Sequence, residues 1–518
     1  MATPSEKLAQ SLETLRSLQD RGVVAIRSAA LSRTHRERLL KNGFLQEIMK
    51  GWYIPARPEE SAGDSTAWYA SFWDFCAAYL TERFGDNWCL SPEQSLLLHT
   101  GHRTVPTQLL VRAPKGGNKV TPLPHDTSLL DIRTSMPEAK DIVEMGGLRL
   151  FALPIALITC APAFFRQYPA EARAALAMLK DASDILDRLL EGGHSTIAGR
   201  LAGALRNIGR ERMADEVVQT MRAADFDIRE NDPFERTDIM TFSAREVSPY
   251  VNRLHLMWQA MREPIIERFP VAPGLPAHAE AYLAQVEEMY VTDAYHSLSI
   301  EGYRVSPALI ERVRSGNWNP DGHEMDRQQR DAMAARGYWQ AYQAVGNSLE
   351  HTLQGENAGM IAEQDHANWY REMFAPSVTV GILRPADLAG YRNDQVYIRG
   401  SKHVPPNRDA VRDMMPALFE LLKAETDARV RIVLGHFVFV YIHPYMDGNG
   451  RMGRFMMNLM LASGGYPWTV IPVEQRDTYM AALEDASVQQ NILPFADFIA
   501  KLVEAGLKGD MTARSPKR

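Results

Sequence analysis

His443-Pro444-Tyr445-Met446-Asp447-Gly448-Asn449-Gly450-Arg451-Met452-Gly453-Arg454 places an imidazole, a carboxylate, a glycine-flanked polar turn and two guanidiniums within twelve residues. Before it, Val430, Val433, Leu434, Phe437 and Val438 fit a buried helix running towards Tyr441. Pro444 opposes continuation of that helix, and Asp447-Gly448-Asn449-Gly450 is a strong turn signal. Helical spacing of apolar residues resumes with Phe455 and Leu459. The segment therefore predicts helix, tight loop, helix.

That arrangement suits an anion. The first turn of a helix has unpaired backbone N–H groups, and glycines let a ligand approach the backbone closely. Arg451 and Arg454, three residues apart, lie on neighbouring positions of one helix and can direct charge-assisted bonds to successive phosphates. Asp447 could hold Mg²⁺ while the metal bridges those phosphates. His443, with an ordinary pKa near ~6.5, could accept a proton from an attacking hydroxyl. Together these groups suit phosphoryl or nucleotidyl transfer. The turn lacks the Lys-Ser/Thr ending of a P-loop. His436 and His443 have no convincing third partner for zinc.

Outward from this segment, the 518 residues predict two to four domains. The chain is 45% hydrophobic and 23% charged, as in a soluble globular protein. A net charge of -7 gives the whole molecule no electrostatic case for wrapping nucleic acid, although a small basic module could still bind DNA. Cys76, Cys89 and Cys160 read as buried, reduced thiols and not as a disulfide framework. No secretion signal or ~18-residue apolar span is evident, so a cytoplasmic protein without membrane partners is expected.

The N-terminal stretch reads as helices over Leu8–Leu18, Ala25–Leu31 and Thr34–Lys41, then two short strands between Gly43 and Ile54. Three helices and a hairpin outline a winged helix-turn-helix. Arg33, Arg36, Arg38 and Lys41 would give its recognition helix a basic face towards DNA, the alternative being a solvated or structural helix. Between Gln94 and Phe151, strands are expected over 108–112 and 147–151; helical spacing returns from Ala170 to Ala223. This middle region carries no reaction chemistry and reads as a packing or recognition module.

His443 to Arg454 closely resembles the signature of the Fic family, whose members are commonly AMP-transferring enzymes that use ATP. The family pattern is His-Pro-Phe, two residues, Gly-Asn-Gly-Arg, two residues, Arg; here Tyr445 replaces the Phe. The resemblance implies that His443 deprotonates a target hydroxyl and Asp447 ligates Mg²⁺. Gly448, Asn449 and Gly450 would cradle the α-phosphate, Arg451 would contact the β-phosphate and Arg454 the terminal one. Attack at the α-phosphorus would release pyrophosphate and leave AMP on Ser, Thr or Tyr of a target protein. Ser297-Leu298-Ser299-Ile300-Glu301-Gly302 fits the family's inhibitory Ser/Thr-x-x-x-Glu-Gly/Asn pattern, with Glu301 pairing Arg454 where the terminal phosphate would sit. Tyr391-Arg392-Asn393-Asp394-Gln395-Val396-Tyr397-Ile398 resembles the family's flap, a small hairpin whose edge would pair with an extended target segment.

Arg38-Leu39-Leu40-Lys41-Asn42-Gly43 and Gly51-Trp52-Tyr53 carry a looser likeness, by which the residues from Leu8 to about Phe234 resemble antitoxin-type regulators with an N-terminal winged helix and a following mixed domain. The expected fold is mainly α: an all-helical Fic domain with a β-hairpin flap, preceded by the winged module and a mixed α/β or α+β region. The expected limits are 1–60 for the winged domain, 61–235 for the mixed domain and 236–276 for a helical connector. The Fic domain with its inhibitory helix would span 277–507, and a flexible tail 508–518. The leading expectation is an autoinhibited, Mg²⁺-dependent protein adenylyltransferase. Removal of AMP, another nucleotide donor, and an antitoxin-like DNA-binding regulator whose Fic region senses nucleotide or a partner are the alternatives. Self-association stays open.

Overall fold

A computed structural model describes residues 3–58, 65–192, 194–234, 248–315, 330–510 and 513–514. The chain forms two compact units, Met1–Arg253 with Tyr397–Val404, and Leu254–Val396 with Pro405–Arg518. The start of the expected connector and most of the expected tail fall outside the described residues. No helix among the described residues is long and apolar enough to cross a membrane.

The second unit is helical. Its centre is the pair Ala428–Ile442 and Asn449–Gly464, both buried on nearly every face, as expected of helices that are apolar all round. Asp427 caps the first by accepting the Arg429 N–H. Around the pair lie helices Ala279–Ile300, Arg330–Leu353, Ala358–Thr379, Arg408–Ala424, Arg476–Val488 and Leu493–Leu507. Their core is dense in aromatic groups: the Tyr338 ring packs on Phe455 at 5.0 Å, and Tyr370 stacks on Tyr445 at 3.8 Å.

The first unit opens with helix Pro4–Gln19, which begins in a capping box between Thr3 and Glu6. Helix Arg33–Lys41 follows, with strands Ile26–Arg27, Leu45–Met49 and Trp52–Pro55 in the sheet order first, third, second. Leu15, Leu18, Ile26, Leu31, Leu39, Leu45 and Tyr53 form its core. The helix expected over Ala25–Leu31 is instead that first short strand and a 3-10 turn at Ser28–Ala30. Ile26 and Arg27 pair with Tyr53 and Trp52, so long-range strand pairing overrides local spacing.

Next come helix Thr66–Phe84 and a four-stranded sheet. Its strands Gln108–Ala113 and Thr127–Arg133 run parallel, flanked by Cys89–Leu90 and Lys119–Leu123. A hairpin, Ile142–Met145 with Leu148–Phe151, leads into short helices that culminate in Ser195–Asn207 and Glu211–Ala223. Cys76, Cys89 and Cys160 are buried and unpaired, and burial pushes the Cys89 thiol up to about 11.

Candidate active site

Helix Ala428–Ile442 stops at His443, whose backbone adopts the left-handed conformation, φ 53° and ψ 60°. Its N–H still donates to Phe439 O at 3.0 Å, while Pro444 forbids another turn. The His443 Nδ1 lies 3.1 Å from Val440 O. A carbonyl can only accept, so Nδ1 carries the proton and Nε2 keeps the lone pair needed by a base. The ordinary pKa expected for this imidazole does not hold: burial pushes it down to about 4, with the Arg392 guanidinium acting in the same direction. The ring is therefore neutral throughout the neutral range.

The loop is shaped by its own side chains. Asn449 accepts the Tyr445 N–H at 2.9 Å and returns its amide to Tyr445 O at 2.8 Å. Its side chain is thus committed to the loop, leaving its backbone N–H for an anion. Gly448 stands at φ 82°, and a Cβ there would lie 2.8 Å from the Phe374 ring. Arg392 braces the junction from outside: its N–H reaches Pro444 O at 2.9 Å, and its Nε reaches His443 O at 2.7 Å.

The arginines lie side by side in the core of the unit. Arg451 is 1% exposed, with its guanidinium 5.2 Å from the Tyr303 ring centre and 5.0 Å from that of Phe374. Its Nη2 reaches the half-exposed Asp447 carboxylate at 3.3 Å, while Nε and Nη1 have no hydrogen-bond partner among the described residues. Arg454 donates from Nε to Ser297 Oγ at 2.9 Å, and from Nη2 to Ser297 O at 3.0 Å and Glu301 Oε1 at 2.7 Å. Its Nη1 has no acceptor within hydrogen-bond geometry among the described residues, although the Tyr479 hydroxyl lies close to the guanidinium. Buried guanidinium N–H groups left without acceptors are costly in a finished fold. Oxygens of a polyphosphate would satisfy them, so these residues fit ATP.

Glu301 directly follows the end of helix Ala279–Ile300, and Gly302 takes φ 86°. The Glu301 carboxylate lies over Gly450, close enough that a Cβ on that glycine would collide with Oε1. A side-chain carboxylate thus stands beside the first turn of helix Asn449–Gly464, held there by Arg454. The fold brings Ser297, Glu301, Gly450 and Arg454 together, with Glu301 paired to Arg454 as the resemblance implies. Asp447 offers a single outward carboxylate. One carboxylate together with substrate phosphates is an ordinary Mg²⁺ arrangement, so the donor set fits that ion.

The flap hairpin is not formed. Residues 391–398 contain no strand or bridge. Their polar groups are committed elsewhere: Arg392 to carbonyls of the active-site loop, Asn393 Oδ1 to Arg412 Nη2 at 2.6 Å, and Gln395 Nε2 to Pro405 O at 2.8 Å. Beyond Val396 the chain belongs to the first unit, where Lys402 O accepts the Val105 N–H at 3.0 Å.

Of the basic residues on helix Arg33–Lys41, Arg36 and Arg38 are tied back to their own module, while Arg33 and Lys41 are exposed. Arg33 pairs with Glu37 at 2.7 Å; Arg36 bonds Ser28 O and lies over Tyr53; Arg38 bonds Lys7 O and Ser11. Sequence reasoning missed Tyr303, Phe374 and the bracing role of Arg392. Tyr303 stands next to the Glu301-Gly302 pair, the one hint that was available.

The Fic/DOC family model matches residues 361–461. Curated relatives named "Protein adenylyltransferase Fic" include those of Drosophila willistoni, 30% identical, and Drosophila virilis, 31% identical, each over 225 residues. The matched stretch is 43% of this chain and only 41% and 42% of those relatives. Among solved structures, Fic-1 from C. elegans is 20% identical, covering 66% of this chain and 95% of that one with a TM-score of 0.38.

Proposed function

We propose that this protein transfers AMP from ATP to the hydroxyl of a Ser, Thr or Tyr on a target protein, with Mg²⁺, and that Glu301 restrains the reaction. One observation carries the reading. Two buried arginines hold N–H groups without an acceptor among the described residues, in the first turns of a helix whose preceding loop opens on a neutral imidazole protonated at Nδ1. The adenylyltransferase names of the relatives agree with it.

In this reading the N–H groups of Asn449, Gly450 and Arg451 hold the α-phosphate, and the two guanidiniums hold the outer phosphates. The Asp447 carboxylate would hold the Mg²⁺, which would supply positive charge against the phosphates. The target hydroxyl oxygen attacks the α-phosphorus while His443 Nε2 takes its proton. The bond from the α-phosphorus to the α,β-bridging oxygen breaks, and pyrophosphate leaves. Glu301 and a terminal phosphate compete for Arg454, so the bound carboxylate keeps ATP from seating productively.

Glu301 also supports a second reading, removal of AMP. Its carboxylate stands beside the α-phosphate cradle, where it could align a water on an AMP-modified side chain. Incubating target proteins with α-phosphate-labelled ATP separates the two. The expected order is strong labelling by Glu301→Gly, weak labelling by the unmodified chain and none by Glu301→Gly/His443→Ala. Equal labelling with and without His443 overturns the proposed base. Loss of AMP from a modified target only when Glu301 is present favours removal.

A further inference from the structure

Asp293 lies inside the helical unit, 4% exposed, eight residues before Glu301 on helix Ala279–Ile300. None of the roles above uses it. The Tyr338 hydroxyl donates to Asp293 Oδ2 at 2.6 Å, and the Ser297 side chain, one helical turn on from Asp293, faces the same hydroxyl. Ser297 Oγ in turn accepts Arg454 Nε at 2.9 Å. Each donor and acceptor has one consistent direction. The guanidinium donates to the serine hydroxyl and the tyrosine to the carboxylate, and the serine and tyrosine hydroxyls face each other between them, so that a serine proton given to the tyrosine oxygen completes the series. Asp293 and Ser297 are four apart on one helical face, Tyr338 comes from helix Arg330–Leu353, and Arg454 from helix Asn449–Gly464. The chain therefore ties three helices to the arginine that Glu301 occupies.

The geometry points to Asp293 as a positioning residue that, through Tyr338 and Ser297, aims Arg454 at the terminal phosphate of ATP. It rests on the adenylyltransferase reading. When Glu301 withdraws, Arg454 loses one of its anchors but keeps Ser297, and Ser297 keeps its orientation only while its own proton has an acceptor. A hydrogen-bond chain ending in a buried carboxylate supplies that acceptor and places negative charge behind the guanidinium. The groups facing Asp293 are Tyr290 on its own helix, Tyr338 and Tyr342, Trp468 and Arg454. Arg454 is the only cation among them. Burial outweighs it and the hydrogen bonds, so the Asp293 carboxyl is held up at about 6.

The test measures equilibrium binding of ATP and of ADP, which lacks the terminal phosphate, to Glu301→Gly and to the same chain carrying Tyr338→Phe, Asp293→Asn or Asp293→Glu. Tyr338→Phe keeps the ring against Phe455 and removes only the hydroxyl, so the unit should still fold. The expected result is ATP binding about fivefold to tenfold weaker, with ADP binding unchanged within about twofold. The preference of Glu301→Gly for ATP over ADP should fall below about pH 6, where Asp293 takes up a proton. That fall should disappear in Asp293→Asn, a comparison in which the nucleotides' own titration cancels. Asp293→Glu should restore part of the preference.

A merely structural Asp293 would lower melting temperature and leave the ATP-to-ADP ratio and its pH profile alone. That outcome overturns the inference while leaving the adenylyltransferase reading intact. Failure of Glu301→Gly to bind ATP at all overturns both.

Discussion

At the residue scale, the site is governed by how little freedom its charged groups have. Arg451 is clasped by two aromatic rings, a planar fit that a lysine cannot reproduce. Arg451→Lys is therefore expected to raise the KM for ATP at least about tenfold while keeping the charge. An unchanged KM would reduce the ring contacts to packing. His443→Ala should cost roughly a hundredfold or more in transfer, the usual contribution of a positioned base, with ATP affinity preserved within a few-fold. A binding isotherm alongside the labelling assay distinguishes the two effects. The histidine, the acidic turn and the two arginines were readable as a cluster because their types and spacing are unusual together. Tyr303, Phe374 and Asp293 were not readable, since a Tyr, a Phe or an Asp near a helix is common and only folding places each against a particular guanidinium or hydroxyl.

At the element scale, the pair Ala428–Ile442 and Asn449–Gly464 is joined by a loop that cannot accept ordinary backbone substitutions. Gly448→Ala would need φ near 82° and would bring a Cβ against Phe374. The expected loss is about 1–3 kcal/mol of stability, read by urea denaturation, together with reduced nucleotide binding. Full stability in that variant would mean the loop has another conformation open to it. This helix, loop and helix were legible because apolar periodicity, a proline and a glycine-rich turn all agree. Residues 391–398 were misread because Asn393-Asp394 is a turn signal whose flanks have no ladder to join. Arg392 and Gln395 bind carbonyls of neighbouring loops instead. The strand at Ile26–Arg27 was missed for the converse reason: its partner is Trp52–Tyr53, far along the chain.

At the scale of the whole molecule, buried ionisable groups set the response to acid. His443 and His436 are held down at about 4 and about 3 by burial, so the unfolded chain takes up protons near pH 6.5 that the folded chain refuses. Their contribution is complete above pH 6.5 and is lost as pH falls towards those lower values. Asp293, held up at about 6, acts in the opposite sense: its contribution grows as pH falls from about 6 to the usual carboxylate range. Between pH 6 and 4.5 these three groups leave the unfolded state about one proton ahead, a loss of about 1.4 kcal/mol per pH unit. Melting temperature is expected to drop steadily from pH 7 to pH 5, and a flat profile would contradict that balance. Composition shows where chemistry is concentrated but not which segments pack together; residues 397–404 join the first unit from within the sequence of the second. In the proposed reaction, above all, one carboxylate and one terminal phosphate compete for the same arginine. Calorimetric titration of Mg²⁺·ATP into the unmodified chain and into Glu301→Gly tests it most directly. At least about tenfold tighter binding to the variant is predicted, and equal affinity for the two proteins would contradict it.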